Sequence, residues 1–83
     1  MITIYSVFAK GCKDCAKMKA DLTGLLQGID SGLFKWDIID SEDDVAVDLA
    51  IEFGLEEIPF TVVDNHPFTI EDFDIDVIRG LIA

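Results

Sequence analysis

At 83 residues the chain has room for one domain, and a domain of this size hides only about 60% of the surface its unfolded chain exposes. Its 51% hydrophobic content supports a core and excludes disorder, while the lack of an apolar run of about 18 residues excludes a membrane helix. The formal net charge of −11 makes nonspecific nucleic-acid binding unfavourable, so neither nucleic acid nor membrane is an expected partner.

In chain order, Ile2-Thr3-Ile4-Tyr5-Ser6-Val7-Phe8 is β-branched and aromatic with few polar breaks, the pattern of a buried central strand. A Gly-containing turn, Ala9-Lys10-Gly11, leads to the only two cysteines, Cys12 and Cys15, where a helical pattern takes over. Cys15, Met18, Leu22, Leu25, Leu26 and Ile29 share one helix face, and Gly28 with Asp30-Ser31-Gly32 ends it. Leu33 to Ile39 reads as a second strand with Phe34, Trp36 and Ile38 on one face, and Trp36 is expected in the core. Ser41 is placed as the N-cap of a second helix, with acids in its first turn and Val45, Ala46, Leu49, Ala50 and Phe53 inward; Gly54 stops it.

Ile58-Pro59-Phe60-Thr61-Val62-Val63 is a third strand that opens on proline, and Asp64-Asn65 is a two-residue hairpin turn. His66 to Ile70 returns as an edge strand, where Pro67 is tolerated. Glu71 to Ile82 closes the chain as a helix burying Phe73, Val77, Ile78, Leu81 and Ile82. The order β-α-β-α-β-β-α, with crossovers first and a hairpin later, implies an α/β domain over residues 1–83. Its mixed four-stranded sheet has helices on both faces.

Chemistry concentrates at Cys12-Lys13-Asp14-Cys15. Thiols at i and i+3 of a first helical turn meet and can close a small ring, which leaves Cys12 at the helix tip and Cys15 on the core side. A helix N-terminus carries unpaired N–H groups and partial positive charge, so the first thiol ionises more easily. The surrounding charge is uneven. Residues 1–20 hold four lysines (10, 13, 17 and 19) against Asp14, a net of +3, whereas residues 21–83 hold two basic and sixteen acidic side chains, a net of −14. The lysines read either as a solvated helix face or as a local field that favours a thiolate and helps select a partner. Met1-Ile2-Thr3-Ile4 lacks the basic stretch and cleavage site of a secretion signal, so the cytoplasm is the expected setting. There a cysteine pair is more often catalytic or metal-binding than a staple.

At this point the chain resembles the thioredoxin superfamily, specifically its minimal glutaredoxin-like branch. Three features carry the likeness: Ile4 to Phe8 leading into the CxxC, Ile58-Pro59 with its proline 44 residues after Cys15, and the hairpin followed by Ile70-Glu71-Asp72-Phe73-Asp74. The resemblance implies that Pro59 is cis and lies beside the cysteines, and that the backbone of Ile58 pairs with substrate as a short β-bridge. The tip-and-core spacing itself suits Cys12 as attacking thiolate and Cys15 as resolver, and the charges of Lys10 and Lys13 beside them are expected to favour that thiolate and meet the substrate. Glutaredoxins carry Gly-Gly where this chain has Glu71-Asp72, and two carboxylates there repel anionic glutathione. The chain is also similar to the small redoxins that feed ribonucleotide reductase and are reduced by thioredoxin reductase.

The expectation is therefore a monomeric dithiol electron donor that reduces protein disulfides, with no tightly bound cofactor or metal and with glutathione or a reductase as electron source. Two alternatives stand beside it. A metal or iron–sulfur site would draw on the two cysteines, with His66 the only other good ligand. A non-catalytic adaptor would use the acidic stretches Glu42-Asp43-Asp44 and Glu71 to Asp76 for docking.

Overall fold

The computed structural model describes residues 1–83. Its first strand, β1 (Ile2–Phe8), runs through the middle of the sheet, where its β-branched residues are covered from both sides. It pairs in parallel with β2 (Phe34–Asp40) and antiparallel with β3 (Phe60–Val63), which pairs antiparallel with β4 (His66–Thr69). The order is β2-β1-β3-β4, the mixed α/β sheet expected. Alternation along β1 divides the core. Ile4 faces α1 (Lys13–Gln27) and α3 (Ile75–Ile82), packing with Met18, Leu22, Val63 and Ile78. Val7 faces α2 (Asp44–Phe53), packing with Ala46, Leu49, Phe60 and Val62. Each fully buried aliphatic side chain contributes about 1.5–3 kcal/mol relative to exposure.

Several element boundaries differ from those expected; β2 runs on to Asp40 and β4 stops at Thr69, and four further differences have a local reason. Leu33 belongs to a short 3₁₀ turn, Ser31–Leu33, because Asp30 Oδ1 accepts the Gly32 N–H at 2.9 Å and holds the turn before β2. Asp43, not Ser41, caps α2, and its carboxylate accepts the Val45 N–H at 3.0 Å. Ser41 is committed elsewhere, since its N–H extends the β1–β2 ladder to the Phe8 carbonyl at 3.0 Å. Pro59 has no N–H to donate, and β3 starts after it, at Phe60. The last helix begins at Ile75 rather than Glu71. Both the N–H and the hydroxyl of Thr69 donate to Asp72 Oδ1, closing a turn, and Asp74 then caps α3 by accepting the Asp76 and Val77 N–H groups at 3.0 and 3.3 Å.

Burial follows the expected stripes except at their margins. Ile29 lies past the end of α1 yet still packs on the core, while Val45 and Val77 are half exposed. Ile38 does not share the cover of Phe34 and Trp36; on an edge strand, it opens toward the cysteines. The hairpin turn is as expected, with both Asp64 (φ 47°) and Asn65 (φ 65°) left-handed.

The buried polar side chains, Ser6 and Thr61, lie in a hydrogen-bonded chain across the sheet. Trp36 Nε1–H donates to Ser6 Oγ (2.9 Å), Ser6 Oγ and Thr61 Oγ1 are 2.9 Å apart, and Thr61 Oγ1–H donates to Met18 Sδ (3.1 Å). An indole only donates and a thioether only accepts, so the single hydrogen of Ser6 goes to Thr61. The chain ties β2, β1 and β3 to the helix that carries the cysteines.

Candidate active site

The site starts where β1 runs out. Gly11 turns the chain at φ +71°, a conformation that suits a residue without Cβ, and Cys12 follows in extended geometry as the N-cap of α1. The first helical hydrogen bond runs from the Ala16 N–H to the Cys12 carbonyl at 3.2 Å. This first turn brings the two cysteines to a Cα separation of 5.2 Å, and they are joined as a disulfide. Cys12 is half-buried, whereas Cys15, on the core stripe of α1, is 4% exposed. Each sulfur faces one backbone donor: the Cys15 N–H to Cys12 Sγ at 3.1 Å, and the Ala9 N–H to Cys15 Sγ at 3.4 Å. The tip-and-core asymmetry read from the spacing is therefore present.

A cleft of about 460 Å³ holds Cys12, Cys15 and Lys10, together with Lys19, Ile38 and Asp40. Lys13 is the first residue of α1 and is exposed, but it does not line this cleft. None of Lys10, Lys13, Lys17 or Lys19 forms an ion pair, while Lys35 and Arg79 pair with Asp37 (3.9 Å) and Asp76 (3.0 Å). No ion pair ties up these lysines, and Asp40 shares the cleft with Lys10 and Lys19. Asp40 and Ile38 were not singled out from sequence. The signal that finds them is the parallel β1–β2 pairing, which sets Asp40 opposite Phe8 and so beside the turn to Cys12.

The Ile58–Pro59 peptide is cis, and Pro59 is fully buried while Ile58 is 43% exposed. Val7 pairs with Phe60, so Pro59 lies one residue further along, at the Phe8 end of β1 that leads into the cysteines. Apart from helix and sheet, the remaining twelve backbone hydrogen bonds leave Ile58 unengaged. Glu71 and Asp72 are exposed in the turn between β4 and α3. His66 pairs with Val63 at the other end of the sheet, where its Nδ1 lies 2.9 Å from the Asp64 carbonyl, so it does not join the cysteines as a ligand. No three His, Cys, Asp or Glu side chains converge as a metal-ligand set.

No protein-family model matches the chain, and no curated protein matches its sequence. Solved structures do match in fold. The chain superposes on a thioredoxin-like protein from Clostridium perfringens with a TM-score of 0.75 at 19% identity, covering 99% of this chain and 68% of that one. For a mutant thioredoxin from Halobacterium salinarum the TM-score is 0.65 at 21% identity, with 98% and 71% covered. For oxidized mitochondrial thioredoxin 3 from Saccharomyces cerevisiae it is 0.62 at 20% identity, with 98% and 76% covered. The chain has a thioredoxin-like fold, with a CxxC disulfide at the start of its first helix. No helix in it is long and apolar enough to cross a membrane.

Proposed function

We propose that the protein is a thiol–disulfide oxidoreductase that reduces protein disulfides through Cys12 and Cys15. The observation that carries this reading is the unequal placement of two bonded sulfurs: one at a helix tip with a backbone donor, the other 4% exposed behind it. When the pair is reduced, a thiolate at Cys12 is favoured by the Cys15 N–H, by the partial charge of the helix end and by unpaired Lys10. Asp14 opposes these. Cys15 stays shielded on the core side of α1 until it is needed.

The Cys12 thiolate attacks one sulfur of the substrate disulfide, a Cys12–substrate bond forms, and the other substrate sulfur leaves as a thiolate that takes up a proton. Cys15 then loses its proton and attacks Cys12 Sγ, which releases the second substrate sulfur. Two thiols of the protein become one disulfide, and two electrons and two protons pass to the substrate. The backbone of Ile58, exposed and without an internal partner, is free to pair with the substrate segment during the attack, next to Pro59. Lys10, which lines the cysteine cleft, and Lys13, exposed on the first turn of α1, supply the positive charge that meets the substrate.

Glutathione is a poor fit as electron source. Beyond the repulsion from Glu71 and Asp72, carboxylates already hold donors at both ends of that turn: Asp72 accepts from Thr69, and Asp74 from the first N–H groups of α3. An NADPH-dependent reductase that passes electrons through a dithiol is the better match, and no bound cofactor is required.

Insulin reduction by the reduced protein tests the assignment. Cys12→Ser abolishes it, and Cys15→Ser accumulates a mixed disulfide at Cys12 that is visible by mass spectrometry. A Cys12→Ser protein that reduces insulin at the wild-type rate ends the proposal. Recycling by thioredoxin reductase with NADPH, set against glutathione with its reductase, decides the electron source.

A further inference from the structure

Beside the cysteines, but outside their cleft, an open groove of about 390 Å³ runs between α2 and the segment from Gly54 to Ile58. Its walls are apolar and largely uncovered: Val47 is 52% exposed, Ile51 75% and Ile58 43%. Clustered exposed aliphatics of this kind on a small domain mark a surface that meets a partner. Glu56 and Glu57 stand at its edge, and no Lys, Arg or His lines it. Ser41, at one end, is hydrogen-bonded to Phe8, so the groove opens at the end of the sheet from which the cysteine turn departs. The charge thus differs between the two cavities: the cysteine cleft holds unpaired Lys10 and Lys19 with Asp40, whereas the charged residues of the groove are carboxylates only.

We propose that this groove selects the protein's substrates by seating an extended segment next to the target disulfide that carries an aliphatic side chain and a basic one. The inference rests on the redox reading above and adds the substrate's chemistry to it. A strand laid against the free backbone of Ile58 projects alternate side chains to one side, toward Ile51 and Val47. An aliphatic residue there covers surface that is otherwise wet, and a neighbouring Lys or Arg meets Glu56 and Glu57. An acidic segment meets the same two carboxylates on a chain of net charge −11 and is rejected. The selection acts on docking, and the sulfur chemistry is the same for every substrate.

The test uses the reduced full chain and short peptides of equal length, each closed by one disulfide. The residues beside the disulfide are Leu-Lys, Leu-Glu or Ser-Lys, and the rate of thiol release is followed by chromatography. Leu-Lys is expected to react about tenfold faster than Leu-Glu at low salt, with the ratio shrinking as salt screens the exposed charges. It is also expected to outpace Ser-Lys several-fold. The Glu56→Lys/Glu57→Lys protein inverts the first ratio, and Ile51→Ser removes the second. Equal rates for the three peptides, or ratios that these variants do not move, overturn the groove. Sedimentation showing a dimer that Ile51→Ser dissolves gives the groove to a second copy of the chain and also overturns it. Bis(2-hydroxyethyl) disulfide, uncharged and too short to span the groove, separates the two levels: if the wild-type protein cannot reduce it, the redox reading itself fails.

Discussion

Replacing Thr61 by Val keeps the side chain's shape and β-branching and removes one buried hydroxyl. Thr61 and Ser6 are both 0% exposed, so water cannot take over the lost contacts. Two bonds go: the donation to Met18 Sδ at 3.1 Å, which is weak because sulfur is a poor acceptor, and the 2.9 Å bond to Ser6. The Ser6 hydrogen, directed at Thr61 because Trp36 already donates to Ser6, then has no acceptor. A stranded buried donor costs about 1–3 kcal/mol, and the extra methyl returns part of this, so a net loss of about 2 kcal/mol is expected. In a domain of this size that lowers Tm by about 10 °C. Adding Ser6→Ala removes the stranded hydroxyl and leaves only the Trp36 N–H, on a half-buried ring, without its partner. The double variant should therefore be more stable than the summed single losses predict, with a coupling of about 1 kcal/mol. Urea unfolding of the oxidised protein, followed by circular dichroism and by Trp36 fluorescence, measures each term. A Thr61→Val loss below about 0.5 kcal/mol with additive single effects would refute a directed chain.

Two further substitutions test the local structure around the site. Asp43→Ala should cost about 1 kcal/mol through the lost α2 cap while Ser41→Ala stays within about 0.5 kcal/mol, and urea midpoints compared at constant slope read both. Gly24→Ala, on the exposed side of α1 with open space around the new methyl, should stabilise by about 0.5–1 kcal/mol, whereas Gly54→Ala at φ +66° should destabilise; thermal melts give the two signs.

The architecture was legible because its signals were periodic. The β1 run, the apolar stripe from Cys15 to Leu26 and the Asp64-Asn65 turn each depend on near neighbours, and all three appear as expected. What misled was competition between equivalent groups. The stretch from Asp40 to Asp44 offers several capping oxygens, and only the β1–β2 ladder, which claims the Ser41 N–H, decides that Asp43 caps α2. The acids from Glu71 to Asp76 posed the same problem, and Asp72 closed a turn where a helix was expected. At the site, the cysteines were legible from their spacing and Pro59 from the family likeness. Asp40, Ile38 and the apolar groove were not, because they come together only through the parallel pairing of β1 with β2 and the seating of α2.

That pairing also governs how the site responds to pH. Carboxylates ordinarily titrate below, and lysines above, the window from roughly pH 5 to 9 in which a thiol near a helix end ionises. The ionisable side chains that line the cleft with Cys12 are Lys10, Lys19 and Asp40, apart from Cys15 itself. Histidine is the side chain that ordinarily changes charge inside the window. The one histidine here, His66, is held by its register with Val63 at the end of the sheet opposite Phe8. Across the length of the sheet any charge it carries is screened to little effect at physiological salt. The buried polar side chains are hydroxyls, so the core holds no hidden ionisable group that changes state with the pair. In the Cys15→Ser protein, which retains the residue 15 N–H but lacks the second thiol, alkylation of Cys12 by iodoacetamide should therefore follow one ionisation across the window. His66→Gln should leave the curve in place. Two inflections, or a curve that moves with His66, would mean that a second group is coupled to the sulfur and that the far end of the sheet is not electrically separate from the site.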